Sequence, residues 1–163
     1  MNRLVEIFAT FFYVGKIPKA PGTWGTLAAL PLWYGLSFLN PLWYMTVVFI
    51  LVLISIFICQ IYEKNTESHD SKEIVIDEVV GFLITMTWLP VTWQSAVFGF
   101  VVFRFLDILK PPPIRQLDQK VQGGVGVVID DVAAGILANI LLQIVYNQTG
   151  WLGAQIQTLS NKS

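Results

Sequence analysis

The longest uninterrupted apolar run, residues 42–62 (LWYMTVVFILVLISIFICQIY), holds no charge over 21 positions. A helix of about 20 such residues crosses the hydrocarbon core of a bilayer, so this run predicts a membrane-spanning helix. Residues 26–39 are apolar but short and contain Pro31, which fits a tilted span, a broken helix or one arm of a membrane-embedded hairpin. Residues 79–89 and 91–109 are two more apolar stretches separated by Pro90, the first too short to span unless its helix begins near Glu73. A fifth stretch, residues 125–146, carries Asp130 and Asp131 near its start. The opening segment, residues 4–14 (LVEIFATFFYV), is amphipathic and too short to span. It is predicted to lie along the interface, and its weak positive flank without a small-residue cleavage site argues against a removable signal peptide. The pattern as a whole predicts an all-α fold: a polytopic membrane helix bundle of about five spans with an N-terminal interfacial helix, one domain over residues 1–163.

Composition agrees with a membrane solvent. Hydrophobic residues make up 55% of the 163 positions and charged residues 13%, with a mean hydropathy of +0.63; the charge content is about half that of an ordinary soluble domain. Ten Lys+Arg against eleven Asp+Glu leave a formal charge of −1, so no basic field exists to gather nucleic acid. The single cysteine, Cys59, lies inside an apolar run, which excludes an intramolecular disulfide and a multi-cysteine metal site and reads as a buried thiol.

If the spans alternate, Arg3, Lys16, Lys19, Lys64, Lys72, Arg104, Lys110, Arg115 and Lys120 fall on one side, leaving Lys162 opposite. The positive-inside rule makes the first side cytoplasmic. The turns on the other side, Asn40-Pro41 and residues 88–93, are flanked by Trp33, Tyr34, Trp43, Tyr44, Trp88, Trp93, Tyr146 and Trp151. Spacing alone leaves these aromatics open between an interfacial belt and core packing. The polar stretch 63–72 reads as a loop between helices, and no internal repeat is present.

The carboxylates gather between Glu63 and Asp131, in loops on the basic side or in the first turns of helices leaving it. His69, Glu73 and Asp77 stand at i, i+4 and i+8, so a helix over residues 72–80 would share them on one face. Asp77-Glu78 directly precedes the apolar VVGFLITM, and Asp130-Asp131 lies inside VVIDDVAAGILANILL, where carboxylates are unfavourable unless paired or metal-bound. Oxygen ligands converging from several helices suit Mg²⁺, which keeps waters that a phosphate can replace. The alternative is that the acids simply pair with Arg104, Lys110 and Arg115 as anchors. Residues 16–26 (KIPKAPGTWGT) combine Lys16, Lys19, glycines and the hydroxyls of Thr23 and Thr26 just before a helix, which fits either an anion cradle or a plain turn entering the membrane. In RFLDILKPPPIR, Arg104, Asp107 and Lys110 are three apart before prolines stop the helix. Gly123, Gly124 and Gly126 predict a flexible turn that lets Asp130 and Asp131 approach the other acids.

The blocks KAPGTWGTL, EIVIDEVVG, FRFLDILKPPPI and GGVGVVIDDVAAG, in this order between residues 16 and 135, resemble the phosphatidylglycerophosphatase A family of small bacterial inner-membrane enzymes. The resemblance implies a Mg²⁺-dependent phosphatase that converts phosphatidylglycerophosphate to phosphatidylglycerol and phosphate at the cytoplasmic leaflet, with the phospholipid held in the bilayer. It carries the family's block residues onto Lys19, Pro21, Gly22, Thr23 and Gly25; Glu73, Asp77, Glu78 and Gly81; Arg104, Asp107, Lys110, Pro111, Pro113 and Arg115; and Gly124, Gly126, Asp130, Asp131 and Gly135. The expected site has Mg²⁺ on Asp77, Glu78, Asp130 and Asp131, with Asp107 as a further ligand or base. Asp77, Glu78, Asp107 and Asp131 form the catalytic set, and Lys19, Thr23, Arg104, Lys110 and Arg115 bind the substrate's phosphates. Activated water is preferred to an aspartyl-phosphate because no Asp stands in a DxDx[TV] setting. His69 fits a proton donor or an exposed loop residue equally. A CDP-alcohol phosphotransferase lacks support, since Asp130-Asp131 is not followed by that family's pattern, and one histidine is too few for the haloperoxidase-like lipid phosphatases. A non-enzymatic ion-coupled carrier or structural membrane protein predicts acids spread through the bilayer depth and an internal repeat. The sequence gives no oligomeric state.

Overall fold

The computed structural model describes residues 3–66, 71–112, 114–116, 121 and 123–153. His69 and Pro113 lie outside the described residues. The order is α1 (Arg3–Ala9), a 3₁₀ turn (Val14–Lys16), α2 (Pro21–Leu36), α3 (Pro41–Thr66), α4 (Ile76–Thr85), α5 (Trp93–Leu109), α6 (Gly123–Thr149) and a closing 3₁₀ turn (Trp151–Gly153), with no strand among the described residues. The all-α expectation holds.

Among the described residues, two helices are long and apolar enough to cross a bilayer: α3, whose most apolar stretch has a mean hydropathy of 2.7, and α6, with 2.0. Helices α2, α4 and α5 have 16, 10 and 17 residues, or about 24, 15 and 25 Å at the usual rise per residue. The five apolar stretches therefore become two full-length helices and three shorter ones. Pro31 does not break α2, which runs through it. Pro21 at the start of α2 forfeits only an amide that a first turn leaves unbonded anyway.

The helix ends fall into two groups, as alternating directions require. At one end, the start of α2, the start of α4, the end of α5 and the start of α6 surround a polar cavity. At the other, Trp33, Ser37 and Tyr44 meet Met86, Trp88 and Val91. There the Thr92 hydroxyl, having capped α5 through the Ser95 amide at 3.2 Å, donates to the Leu152 carbonyl at 2.6 Å. The aromatic rim divides between both of its expected roles. Trp33 and Tyr44 are buried, whereas Tyr34, Trp43, Trp88, Trp93 and Trp151 are exposed.

The core lies between α2, α4, α5 and α6 and includes Phe82, Leu83, Phe103 and Ala134. The outward faces of α3, α5 and α6 carry Phe49, Leu53, Phe57, Val101, Phe105, Ile136 and Ile140 in the open. Apolar exposure on that scale suits a lipid solvent rather than water. Helix α4 ends inside the bundle, and α6 satisfies the carbonyls it leaves: Asn139 donates to Thr85 and Thr87 at 2.8 Å each, and Gln143 to Thr87 at 3.1 Å.

Three local expectations fail. Helix α1 stops at Ala9, short of residue 14, and Phe11, Phe12 and Tyr13 adopt left-handed backbone angles. Glu73 and Asp77 do not share a helix, because α4 starts at Ile76; the Val75 amide is taken by the Ala9 carbonyl at 3.0 Å, and the Glu73 carboxylate accepts from the Tyr62 hydroxyl at 3.0 Å. Gly124 and Gly126 are helical rather than a flexible turn, and only Gly123 has a positive φ, of 73°. The Gly124 amide instead docks on the Gln60 side chain of α3 at 2.9 Å.

Candidate active site

Each acid is placed by a helix end. Asp77 and Glu78 stand in the first turn of α4, Asp107 in the last turn of α5, and Asp130-Asp131 in the third turn of α6. Glycines set how closely these helices approach. A Cβ on Gly81 would meet the Phe103 ring at 2.7 Å and the Asp131 carbonyl at 2.8 Å, and one on Gly135 would strike the Gly81 carbonyl. Side-chain-free contact between α4 and α6 thus holds Asp77 and Glu78 beside Asp131. Gly22 does the same from α2, since a Cβ there would collide with the Glu78 carboxylate.

These groups open into a cavity of about 490 Å³, lined by Gly22, Lys72, Asp77, Glu78, Asp107, Lys110, Gly126, Asp130 and Asp131 among others. Two carboxylate triplets have oxygens within 4.8 Å of one another: Asp77, Glu78 and Asp131, and Asp107, Asp130 and Asp131. Asp131 belongs to both.

Cations answer part of this charge. Arg104 Nη1 bonds Asp107 Oδ2 and lies 3.8 Å from Glu78 Oε1, while Lys110 Nζ bonds Asp130 Oδ2 at 2.7 Å. The Glu78 amide donates to Asp77 Oδ1 at 3.1 Å. Glu78 Oε2 is buried with no hydrogen-bond partner among the described residues, and no described residue donates to the Asp131 carboxylate, which is 3% exposed. Five carboxylates against Arg104, Lys110 and the rim residue Lys72 leave an anionic excess out of water. Hard oxygen donors with that excess fit a small divalent cation that keeps waters for a phosphate to displace.

The sequence profile of the family described as phosphatidylglycerophosphatase A matches residues 7–146. The chain belongs to that family. It is similar to phosphatidylglycerophosphatase A of Escherichia coli (strain K12), 41% identical over 146 residues that cover 89% of this chain and 85% of the relative. Phosphatidylglycerophosphatase A of Haemophilus influenzae is 39% identical over 140 residues, 85% of this chain and 86% of that one. A Bacteroides thetaiotaomicron protein, provisionally named phosphatidylinositol-3-phosphatase, is 32% identical over 148 residues, covering 86% and 92%. No solved structure matches the chain.

For this phosphatidylglycerophosphatase A family member, the fold brings Asp77, Glu78, Asp107, Lys110, Asp130 and Asp131 to one cavity. Arg104 sits behind the acids, engaged with Asp107 and Glu78, rather than on the cavity wall. Lys19, Thr23 and Arg115 do not line it; Lys19 and Arg115 are exposed, and Lys19 has a left-handed φ of 75°. Lys110 caps α5 in a left-handed conformation, so it leaves the helical face shared with Arg104 and Asp107 and reaches α6 instead. Ser71 and Lys72 are additions that the sequence reading missed, having counted Lys72 only as a topological charge. The signal was available: Lys72 stands five positions before Asp77, the first acid of α4.

Proposed function

We propose that the protein hydrolyses the phosphomonoester of phosphatidylglycerophosphate, giving phosphatidylglycerol and inorganic phosphate, with Mg²⁺ as cofactor. The observation that supports this most strongly is a buried five-carboxylate cavity, in a member of this phosphatase family, with Asp107, Glu78 and Asp130 paired with basic residues and Asp131 with none described. When bound by Asp77, Glu78 and Asp131, whose oxygens lie within 4.8 Å of one another, with Asp130 beside them, Mg²⁺ would supply charge neutralisation and acidify a water molecule. Asp107, held by Arg104, would serve as a further ligand or accept that water's proton. Lys110 and Lys72 bind the phosphate oxygens, with Lys19, Thr23 and Arg115 available to the second phosphate of the head group. Attack of water on phosphorus breaks the bond to the glycerol oxygen, which leaves with a proton as the alcohol.

The apolar faces of α3, α5 and α6 would keep the acyl chains in the bilayer while the head group enters the cavity. In this reading the chain is a single integral-membrane unit of about five crossings in the bacterial inner membrane, α4 crossing together with residues 86–92. The basic residues around the cavity then put it at the cytoplasmic face. The relative named for phosphatidylinositol-3-phosphate shares a lipid phosphomonoester as substrate chemistry. The deciding experiment is phosphate release by the detergent-purified protein from phosphatidylglycerophosphate, with Mg²⁺ and with excess EDTA. Release that EDTA abolishes and Mg²⁺ restores is expected; no release from folded protein supplied with metal would overturn the proposal.

A further inference from the structure

The two carboxylate triplets are not equivalent. In the first, Asp77, Glu78 and Asp131 face one another with Arg104, at 3.8 Å from Glu78, as the cationic neighbour among the described residues, and Glu78 Oε2 is buried without a hydrogen-bond partner among them. In the second, Asp107 is bonded to Arg104 and Asp130 to Lys110 at 2.7 Å. Asp131 completes both, is almost wholly buried, lines the cavity and receives no hydrogen bond from the described residues. A carboxylate has two oxygens and can serve two cations at once. A buried carboxylate with no donor among the described residues, standing between two sets of oxygen ligands, suits a bridging ligand.

We propose that the cavity holds two divalent cations side by side, bridged by Asp131: a resident one on Asp77 and Glu78, and a second on Asp107 and Asp130. The inference rests on the metal-dependent phosphatase reading and adds to it the number, order and ligands of the ions. The second position is weaker because Lys110 already occupies one oxygen of Asp130. A phosphate entering the cavity offers Lys110 a doubly charged partner, and once Lys110 turns to it, the negative charge of Asp130 that Lys110 had answered is left to the cation. Phosphate and the second cation therefore bind cooperatively, and each must raise the other's affinity by the same factor.

Mn²⁺ titration of the purified full-length protein, followed by electron paramagnetic resonance, tests this directly. Ions about 3.5–4 Å apart, the spacing of two-metal phosphoryl-transfer sites, couple magnetically, whereas a lone ion gives an uncoupled six-line spectrum. The expected result is one tightly bound Mn²⁺ without added anion, then a second with a coupled spectrum when inorganic phosphate is added. Asp107→Asn should keep the first ion and lose the second with its coupling, and Lys110→Ala should let the second bind without phosphate. Asp131→Asn should weaken both. Circular dichroism and a monodisperse elution profile establish that each variant is folded. A single Mn²⁺ at saturation with phosphate, or two uncoupled ions, overturns the bridge while leaving metal-dependent release from phosphatidylglycerophosphate intact. Loss of that release in the same preparation would instead overturn the parent reading.

Discussion

At the scale of single residues, the site is a set of charges whose partners decide their roles. Asp130 and Asp131 are neighbours in sequence, yet one is bonded to Lys110 and the other has no donor among the described residues. Lys110 is therefore the residue most able to exchange partners. A charge-assisted hydrogen bond to phosphate contributes about 1.5–3 kcal/mol, and about 1.4 kcal/mol corresponds to a tenfold change in binding. Lys110→Ala should raise KM for phosphatidylglycerophosphate by about tenfold or more while kcat falls less, and Lys110→Arg should recover most of the loss. Steady-state phosphate release in mixed micelles checks this, and an unchanged KM would remove Lys110 from the phosphate site. The acids themselves were legible in the sequence because charges interrupting apolar runs stand out. Lys110 was legible as a cation for phosphate or acid, but its pairing with Asp130 was not, because Lys110 leaves the helical register at a left-handed cap and reaches α6.

At the scale of elements, apolar run length located α3 and α6 closely, since burial in lipid and helix length obey the same arithmetic. Helix ends determined by distant contacts were not legible. Helix α1 yields to a left-handed turn that brings Gly15 against the Glu73 carbonyl, and the segment before α4 is a turn, closed by the Ile74 amide on the Ser71 carbonyl at 2.9 Å and tied to α1 by the Val75 amide on Ala9. The glycines of α4 and α6 show a second limit: in sequence they read as flexibility, but in the bundle they are points of contact. Gly81→Ala forces a methyl against the Phe103 ring and the Asp131 carbonyl, and Gly135→Ala forces one against the Gly81 carbonyl; overpacking of this kind costs about 1–3 kcal/mol. Both variants should unfold at lower temperature in detergent and lose activity, as α4 carries Asp77 and Glu78 away from Asp131. Gly35→Ala in α2 is the matched control. Its Cβ would meet nothing within 4 Å, and removing a helical glycine is worth about 0.5–1 kcal/mol in the opposite sense. Thermal unfolding of the three variants separates contact from propensity: equal shifts would show that the close approach of α4 and α6 is not what those glycines provide.

At the scale of the whole molecule, the bundle carries its buried acids at one pole and exposed tryptophans at the other. The helix ends at Asp77, Asp107 and Asp130 and those at Asn40, Trp88 and Trp151 lie at opposite poles of the bundle. Helices of about 24 and 25 Å, such as α2 and α5, approach the hydrocarbon thickness without reaching its usual value of about 30 Å. They can cross only if the bilayer thins or their flanking residues reach outward, and the exposed Trp43, Trp88 and Trp93 at the far pole are suited to that interface. Alternation then requires the turn at Asn40 to emerge opposite the cavity mouth at Lys72. With Cys59 replaced by serine, single cysteines at these two exposed positions report the arrangement. In intact cells with a permeable outer envelope, a membrane-impermeant maleimide should label Asn40→Cys and spare Lys72→Cys, and inverted inner-membrane vesicles should show the reverse. Labelling of both from one side would mean that α3 does not separate them across the bilayer, and the crossing count would have to be rebuilt around α6. Labelling of Lys72→Cys from outside alone would keep the crossings and turn the molecule over, placing the acids where a lipid phosphate made in the cytoplasm could not reach them.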